Sequence, residues 1–351
     1  MNRQIQARQA GERSASLELL RLLCAVSVWR TAMTRLLPLG GVSTWWVMLL
    51  CLLPGLSVAG MLRLIMAGTR SSTLTEAIRA CLGQGGAILL SVALSLPLLL
   101  DGLASITALI TLFTEGVGTH GTQLTLAALT GAALLLSLHR EGLARAAWFL
   151  RWGMATAALI VAALLLTDAH ADHLFPLRGE GNASVFAAIR AGFSLAWPVA
   201  LLLTVEPIAG KGRLYGACTP LFSAAAAVRV TILVIPHELM TRLTGLAGAL
   251  MLPIQYASNA MRVLTLSLLM LTFFLAIGAS AQAGAFTLMA SAKEAPGWLP
   301  GVLVAGMFLT QAADASILWT LLGTVEPWLL LPLAVLTVVC IPIALYRRKY
   351  P

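Results

Sequence analysis

The chain has 351 residues, of which 59% are hydrophobic and only 11% charged, and its mean hydropathy is +0.90. Soluble domains carry roughly 25% charged residues, so this composition excludes a soluble catalytic domain and describes a polytopic membrane protein with little mass outside the bilayer. The net charge of +9 is not a nucleic-acid signature. Its basic residues gather at Arg3, Arg8 and Arg13, at Arg63, Arg70 and Arg79, at Arg140 and Arg145, at Lys211 and Arg213, at Lys293, and at Arg347, Arg348 and Lys349. These fall on alternate connections, which is the positive-inside pattern.

Stretches long enough to cross a bilayer can be drawn at about 16–37, 43–67, 84–113, 121–138, 144–167, 185–206, 214–235, 262–290, 298–321 and 327–346. Residues 16–346 then form one transmembrane domain, with halves at about 16–167 and 185–346, between a tail at 1–15 and a tail at 347–351. An even number of spans puts both tails on one side, and their basic residues place that side in the cytoplasm. The first apolar stretch is too long for a signal-peptide core and reads as an uncleaved helix.

Taken in chain order, the first span is the most informative. It runs SLELLRLLCAVSVWRTAMTRLLP from Ser16 to Pro38 and carries Arg30 inside it. A charge at membrane depth costs about 2.5–3.5 kcal/mol on insertion scales and normally faces a cavity or a partner. Three readings follow for Arg30: a buried ion pair with Asp101, direct contact with a ligand carboxylate, or a side chain that snorkels to an interface. In the third span, Asp101 lies between LPLLL and GLAS. Unpaired in hydrocarbon it would take up a proton; paired with Arg30 or Arg229 it would stay ionised.

The connection 168–184, DAHADHLFPLRGEGNAS, is the longest clearly polar one on the outer side. His170 and His173 with Asp168 and Asp172 are spaced for a metal, although a solvated acidic loop accounts for the same residues. In the sixth span Pro198 removes one backbone hydrogen bond, which predicts a break near Trp197-Pro198. Trp197 reads either as a wall of a cavity or as packing between helices. The seventh span holds a second intramembrane cation, Arg229, among small residues that permit close helix packing, with Asp101 or Glu206 as possible partners. Residues 236–261 form another outer segment. The five cysteines, Cys24, Cys51, Cys81, Cys218 and Cys340, show no short paired spacing, so neither a zinc site nor a disulfide framework is suggested. No Walker-type loop and no serine-nucleophile elbow occurs, and no cofactor is implied.

Two longer runs carry a family resemblance. Residues 73–113, TLTEAIRACLGQGGAILLSVALSLPLLLDGLASITALITLF, resemble the long third helix of the endospore-germination permeases with its amphipathic lead. Residues 138–181 resemble the same family through a basic-Glu-Gly turn, a helix ending in acidic residues, and the segment Leu174-Phe-Pro-Leu-x-Gly-x-Gly. Ser16-Leu-Glu-Leu-Leu, Pro38 and Trp45-Trp46 fit as well, and the resemblance extends over about residues 14–290.

The resemblance implies an all-α integral membrane fold of the amino acid–polyamine–organocation superfamily: about ten helices in an inverted five-plus-five, LeuT-like repeat. It implies a B-type subunit of a germinant receptor in the spore inner membrane, sensing an amino acid-like nutrient and working with an A-type subunit and a lipoprotein C-type subunit, with no nucleic-acid partner. It also implies that the first and sixth helices are broken at the midplane around a ligand site. The first break would fall at Arg30-Thr31-Ala32, where the family has glycines and this chain has none. The candidate site is therefore Arg30, Thr31, Asp101, Trp197, Pro198 and Arg229. The rival reading is a proton-coupled secondary transporter for an amino acid or another small solute, with Asp101 as the coupling group; a scaffold that only holds partner subunits is the third.

Overall fold

The structure, a computed structural model, describes residues 2–71, 73–116, 139–165, 170, 173, 181–205, 259–288, 297–309 and 321–349. Every regular element among them is helical. Among the described residues, four segments are long and apolar enough to cross a membrane, Leu17–Thr69, Leu74–Ile110, Asn182–Leu201 and Leu321–Arg347, and Met270–Ala285 is a shorter apolar helix.

The 53 residues of Leu17–Thr69 would extend about 80 Å as one helix, against a hydrocarbon core of roughly 30 Å. The segment is in fact interrupted. Helix α1 (Asn2–Thr31) passes into a π-helical turn at Ala32–Leu36, then α2 (Leu37–Gly40), a 3-10 turn at Gly41–Ser43, and α3 (Thr44–Thr69). Gly41 adopts φ 50° and ψ −124°, a conformation that residues with a Cβ avoid, and it redirects the helical path. Pro38 sits in the first turn of α2, where its missing N–H is not needed. Carbonyls left over by these irregular turns are covered by side chains: Thr44 Oγ1 donates to the Leu36 carbonyl at 3.0 Å and Ser43 Oγ to the Gly40 carbonyl at 2.7 Å.

Helix α4 (Leu74–Gly116) starts at a capping box. The Thr73 backbone N–H donates to Glu76 Oε2 and the Glu76 N–H to Thr73 Oγ1, both at 3.3 Å, which satisfies two of the free donors at a helix start. At Gly83 the backbone leaves the helical region (φ 70°, ψ −162°) and divides α4 into a short lead and a long arm that carries Pro97 and Asp101. The amphipathic lead and the span from residue 84 expected from the sequence match this division.

Helix α5 (Arg140–Leu165) follows. Then comes a broken element: α6 (Asn182–Gly192), a 3-10 turn at Phe193–Leu195 and α7 (Ala196–Val205). The later elements are α8 (Asn259–Leu288), α9 (Leu299–Leu309), a helical stretch at 321–325, a 3-10 turn at Glu326–Trp328 and α10 (Leu330–Lys349).

Packing gives two apolar cores. One joins α1, the arm of α4, α5, α7 and α8 through residues such as Leu23, Leu98, Leu143, Trp197 and Phe273. The second joins α3, the start of α4 and α10 through Leu62, Ile78, Leu90 and Cys340. Helices approach closely where side chains are smallest. A Cβ on Gly102 would lie 2.7 Å from Met307 Sδ and 2.8 Å from Ser280 Cβ, and one on Gly55 would lie 2.3 Å from the Ala196 carbonyl oxygen. Inside a bilayer, where lipid competes equally for apolar surface, such close packing supplies much of the association between helices.

Candidate functional site: a buried charge cluster

Arg30 lies in the last turn of α1 and is only 1% exposed. Its Nη2 donates to Asp101 Oδ1 at 2.7 Å, and its Nη1 donates to Glu326 Oε1 at 3.1 Å. The other oxygen of Glu326 meets Arg35 Nη1 at 2.5 Å, a charge contact without the alignment of a hydrogen bond. Two guanidiniums and two carboxylates, all from membrane-spanning segments, thus form one connected group whose charges sum to zero. The desolvation of each ion is costly, and mutual pairing is what makes the burial tolerable.

Local irregularities put these side chains in reach. Arg30 lies two residues before the π turn and Arg35 is the fourth residue within it. Five residues along a regular α-helix correspond to about 140° of rotation, which would aim the two guanidiniums apart. The wider π turn, closed by the Leu37 N–H donating to the Ala32 carbonyl, brings residues five apart much nearer to one face. Thr34 Oγ1 donates to the Arg30 carbonyl at 2.8 Å and covers a backbone group at the junction. Asp101 follows Pro97 by one helical turn, and Ser105 Oγ donates to the Asp101 carbonyl at 2.8 Å. Glu326 precedes Pro327, and a residue before proline is pushed out of the α region. The helix at 321–325 therefore gives way to the 3-10 turn, from which Glu326 faces α1. Arg35 also donates to the Leu322 carbonyl at 3.4 Å, tying the π turn to this same segment.

Of the residues picked from sequence, Arg30 and Asp101 are brought together as the expected ion pair. Thr31 is fully buried beside Arg30 in the chain, and its Oγ1 makes no hydrogen bond among the described residues. Trp197 and Pro198 begin α7, and Trp197 is buried in the core that also contains α1 residues. The two expected helix breaks are displaced. Arg30 and Thr31 remain α-helical, with the irregular turn following at Ala32–Leu36; the sixth-span break is the 3-10 turn at Phe193–Leu195, just ahead of Pro198. Proline within the first turn explains the latter, because its absent N–H cannot bond to the carbonyl of Ser194 and the helix restarts after that point. Arg229, Glu206, Asp168, Asp172 and Cys218 lie outside the described residues.

Glu326 and Arg35 are the members that sequence reasoning missed. The last two spans, drawn at 298–321 and 327–346, leave Glu326 in a connection, whereas the membrane-length segment is Leu321–Arg347 and Glu326 is 2% exposed. An acidic residue followed by proline between two apolar runs is the composition of a turn. Among the described residues, no group of three or more His, Cys, Asp or Glu is placed to hold a metal ion. His170 and His173 meet edge to face with ring centroids 5.3 Å apart.

No family model and no curated protein matches the chain. Among solved structures it is similar to the manganese transporter of Eremococcus coleocola. Two variants of that transporter give TM-scores of 0.54 and 0.55 at 13% identity, covering 97% of this chain and 79% of the transporter. The same transporter in complex with an aromatic bis-isothiourea substituted compound gives 0.51 at 13% identity over the same shares. At this identity the likeness defines the fold. The chain is a multi-pass membrane protein with the fold of a membrane transporter.

Proposed function

We propose that this transporter fold works as a nutrient sensor: the membrane-embedded B-type subunit of a germinant receptor, in which a small solute biases two arrangements of the helices. The observation that carries this reading is that Arg30, buried at the end of α1, is paired with both Asp101 and Glu326. A carrier needs a site that a solute or coupling ion can enter and leave. Here a permanent cation and its counter-charges fill the junction between α1 and the π turn, and every carboxylate of the cluster already has a guanidinium, so it offers no uncompensated negative charge to a metal cation. The manganese handled by the similar transporter is therefore not carried over. A sensor requires only that ligand binding differ in free energy between two states.

The family resemblance of residues 73–113 and 138–181 supports the same reading. With it come ten helices in inverted halves, both termini in the cytoplasm, a spore inner-membrane location, and A-type and lipoprotein C-type partner subunits. A second reading, a proton-coupled secondary transporter for an amino acid or similar solute, is favoured by the transporter fold of the structural neighbours.

Purification and reconstitution separate the two. A receptor subunit co-purifies with A- and C-type subunits and shows no uptake of radiolabelled amino acids into proteoliposomes under an imposed pH gradient. Gradient-driven uptake that Asp101→Asn abolishes would replace the sensor with the carrier.

A further inference from the structure

Two guanidiniums converging on one carboxylate describe a site for a carboxylate, whichever molecule supplies it. We propose that Arg30 and Arg35 form a carboxylate-binding site that Glu326 occupies as a tethered stand-in, and that a free small carboxylate binds by displacing it. The inference rests on the ligand-responsive reading above and names the chemical class of the ligand.

Three observations carry it. First, donors remain to spare. A guanidinium has five N–H groups in a fixed fork suited to bidentate contact with a carboxylate. Arg30 Nε and Arg35 Nη2 are buried and have no hydrogen-bond partner among the described residues.

Second, the charge balance selects an anion. Asp101 neutralises one guanidinium through its own contact with Arg30. When Glu326 leaves, one positive charge stays uncompensated in a desolvated site, which only an anion relieves. Third, Glu326 is delivered by a short 3-10 turn between a helical stretch and α10, not by the middle of a regular helix. Such turns are common at hinges, and this one can withdraw without unwinding the helices on either side. Displacement would release α10 from α1 while leaving the Arg30–Asp101 pair joining α1 to α4.

A tethered competitor lowers the apparent affinity for the free ligand in proportion to how rarely it is absent, so removing it exposes the site. The test uses the full chain purified in detergent, with thermal unfolding read by tryptophan fluorescence. Sodium acetate is the probe, compared with sodium chloride and methylammonium chloride at equal ionic strength. Glu326→Ala is expected to unfold at a lower temperature than the parent and to regain about 4 °C or more in acetate, saturably. Methylammonium should give no gain, Arg35→Gln/Glu326→Ala should respond to acetate no more than to chloride, and the parent should respond to acetate only at higher concentrations than Glu326→Ala needs. Glu326→Ser, which also vacates the carboxylate position, should show the same acetate effect should the alanine variant fail to fold. An acetate shift absent from both single variants, or equal in all proteins, overturns the proposal. That result would leave the sensor reading standing, because spore response to nutrients is scored independently of acetate.

Discussion

Arg30 is held by two carboxylates from segments far away in sequence, and the energetic consequence is asymmetric. Removing the arginine leaves Asp101 buried without its counter-ion and Glu326 with Arg35 alone; breaking a buried pair in this way typically costs about 3–5 kcal/mol. Arg30→Met should therefore lower stability in detergent by about that amount, measured by denaturant or thermal unfolding. Arg30→Met/Asp101→Leu removes one positive and one negative charge and keeps the Arg35–Glu326 contact. It should recover at least about 2 kcal/mol relative to Arg30→Met alone. A double variant no more stable than the single one would show that the pair is not the reason for the loss. Arg30 and Asp101 were legible in the sequence because a charge in the middle of an apolar run has few places to go. Glu326 was not, since Glu-Pro at the edge of two apolar runs has the chemistry of a turn; only the three-dimensional path shows that the Glu326 side chain is buried against α1.

The irregular elements decide which residues can meet. Most helix positions could be read from apolar length alone, and the Gly83 division of α4 followed from its amphipathic lead. The π turn at Ala32–Leu36 could not be read, because one additional residue in a helical turn leaves the apolar pattern almost unchanged. The break ahead of α7 was legible in kind from Pro198 but not in place. Pro198 sets the restart of the helix after Ser194, and packing supports it there: the α3 backbone at Gly55 lies against the Ala196 carbonyl. Gly55→Ala should therefore cost about 1–3 kcal/mol through overpacking, whereas Gly60→Ala on the same helix, with open space at its Cβ, should be close to neutral or slightly stabilising. Parallel unfolding curves of the two variants check this; equal costs would mean that the α3–α7 approach does not constrain the break.

On the scale of the whole molecule, a transporter fold holds a buried cluster of charges that neutralise one another. The cluster fastens α1 to α4 and to the turn before α10, so any ligand that alters it must move these segments relative to one another. The all-helical, membrane-embedded character was legible from composition; the full charge cluster was not, because half of its charges came from outside the sequence-derived site. The sensor reading predicts that the protein matters for response and not for flux. Its most direct test is to delete the chain in its source organism and score spore germination against single amino acids, sugars and nucleosides. Loss of response to at least one nutrient, restored by the parent chain, is the predicted result. Unchanged germination in a strain that also lacks similar receptors would contradict it.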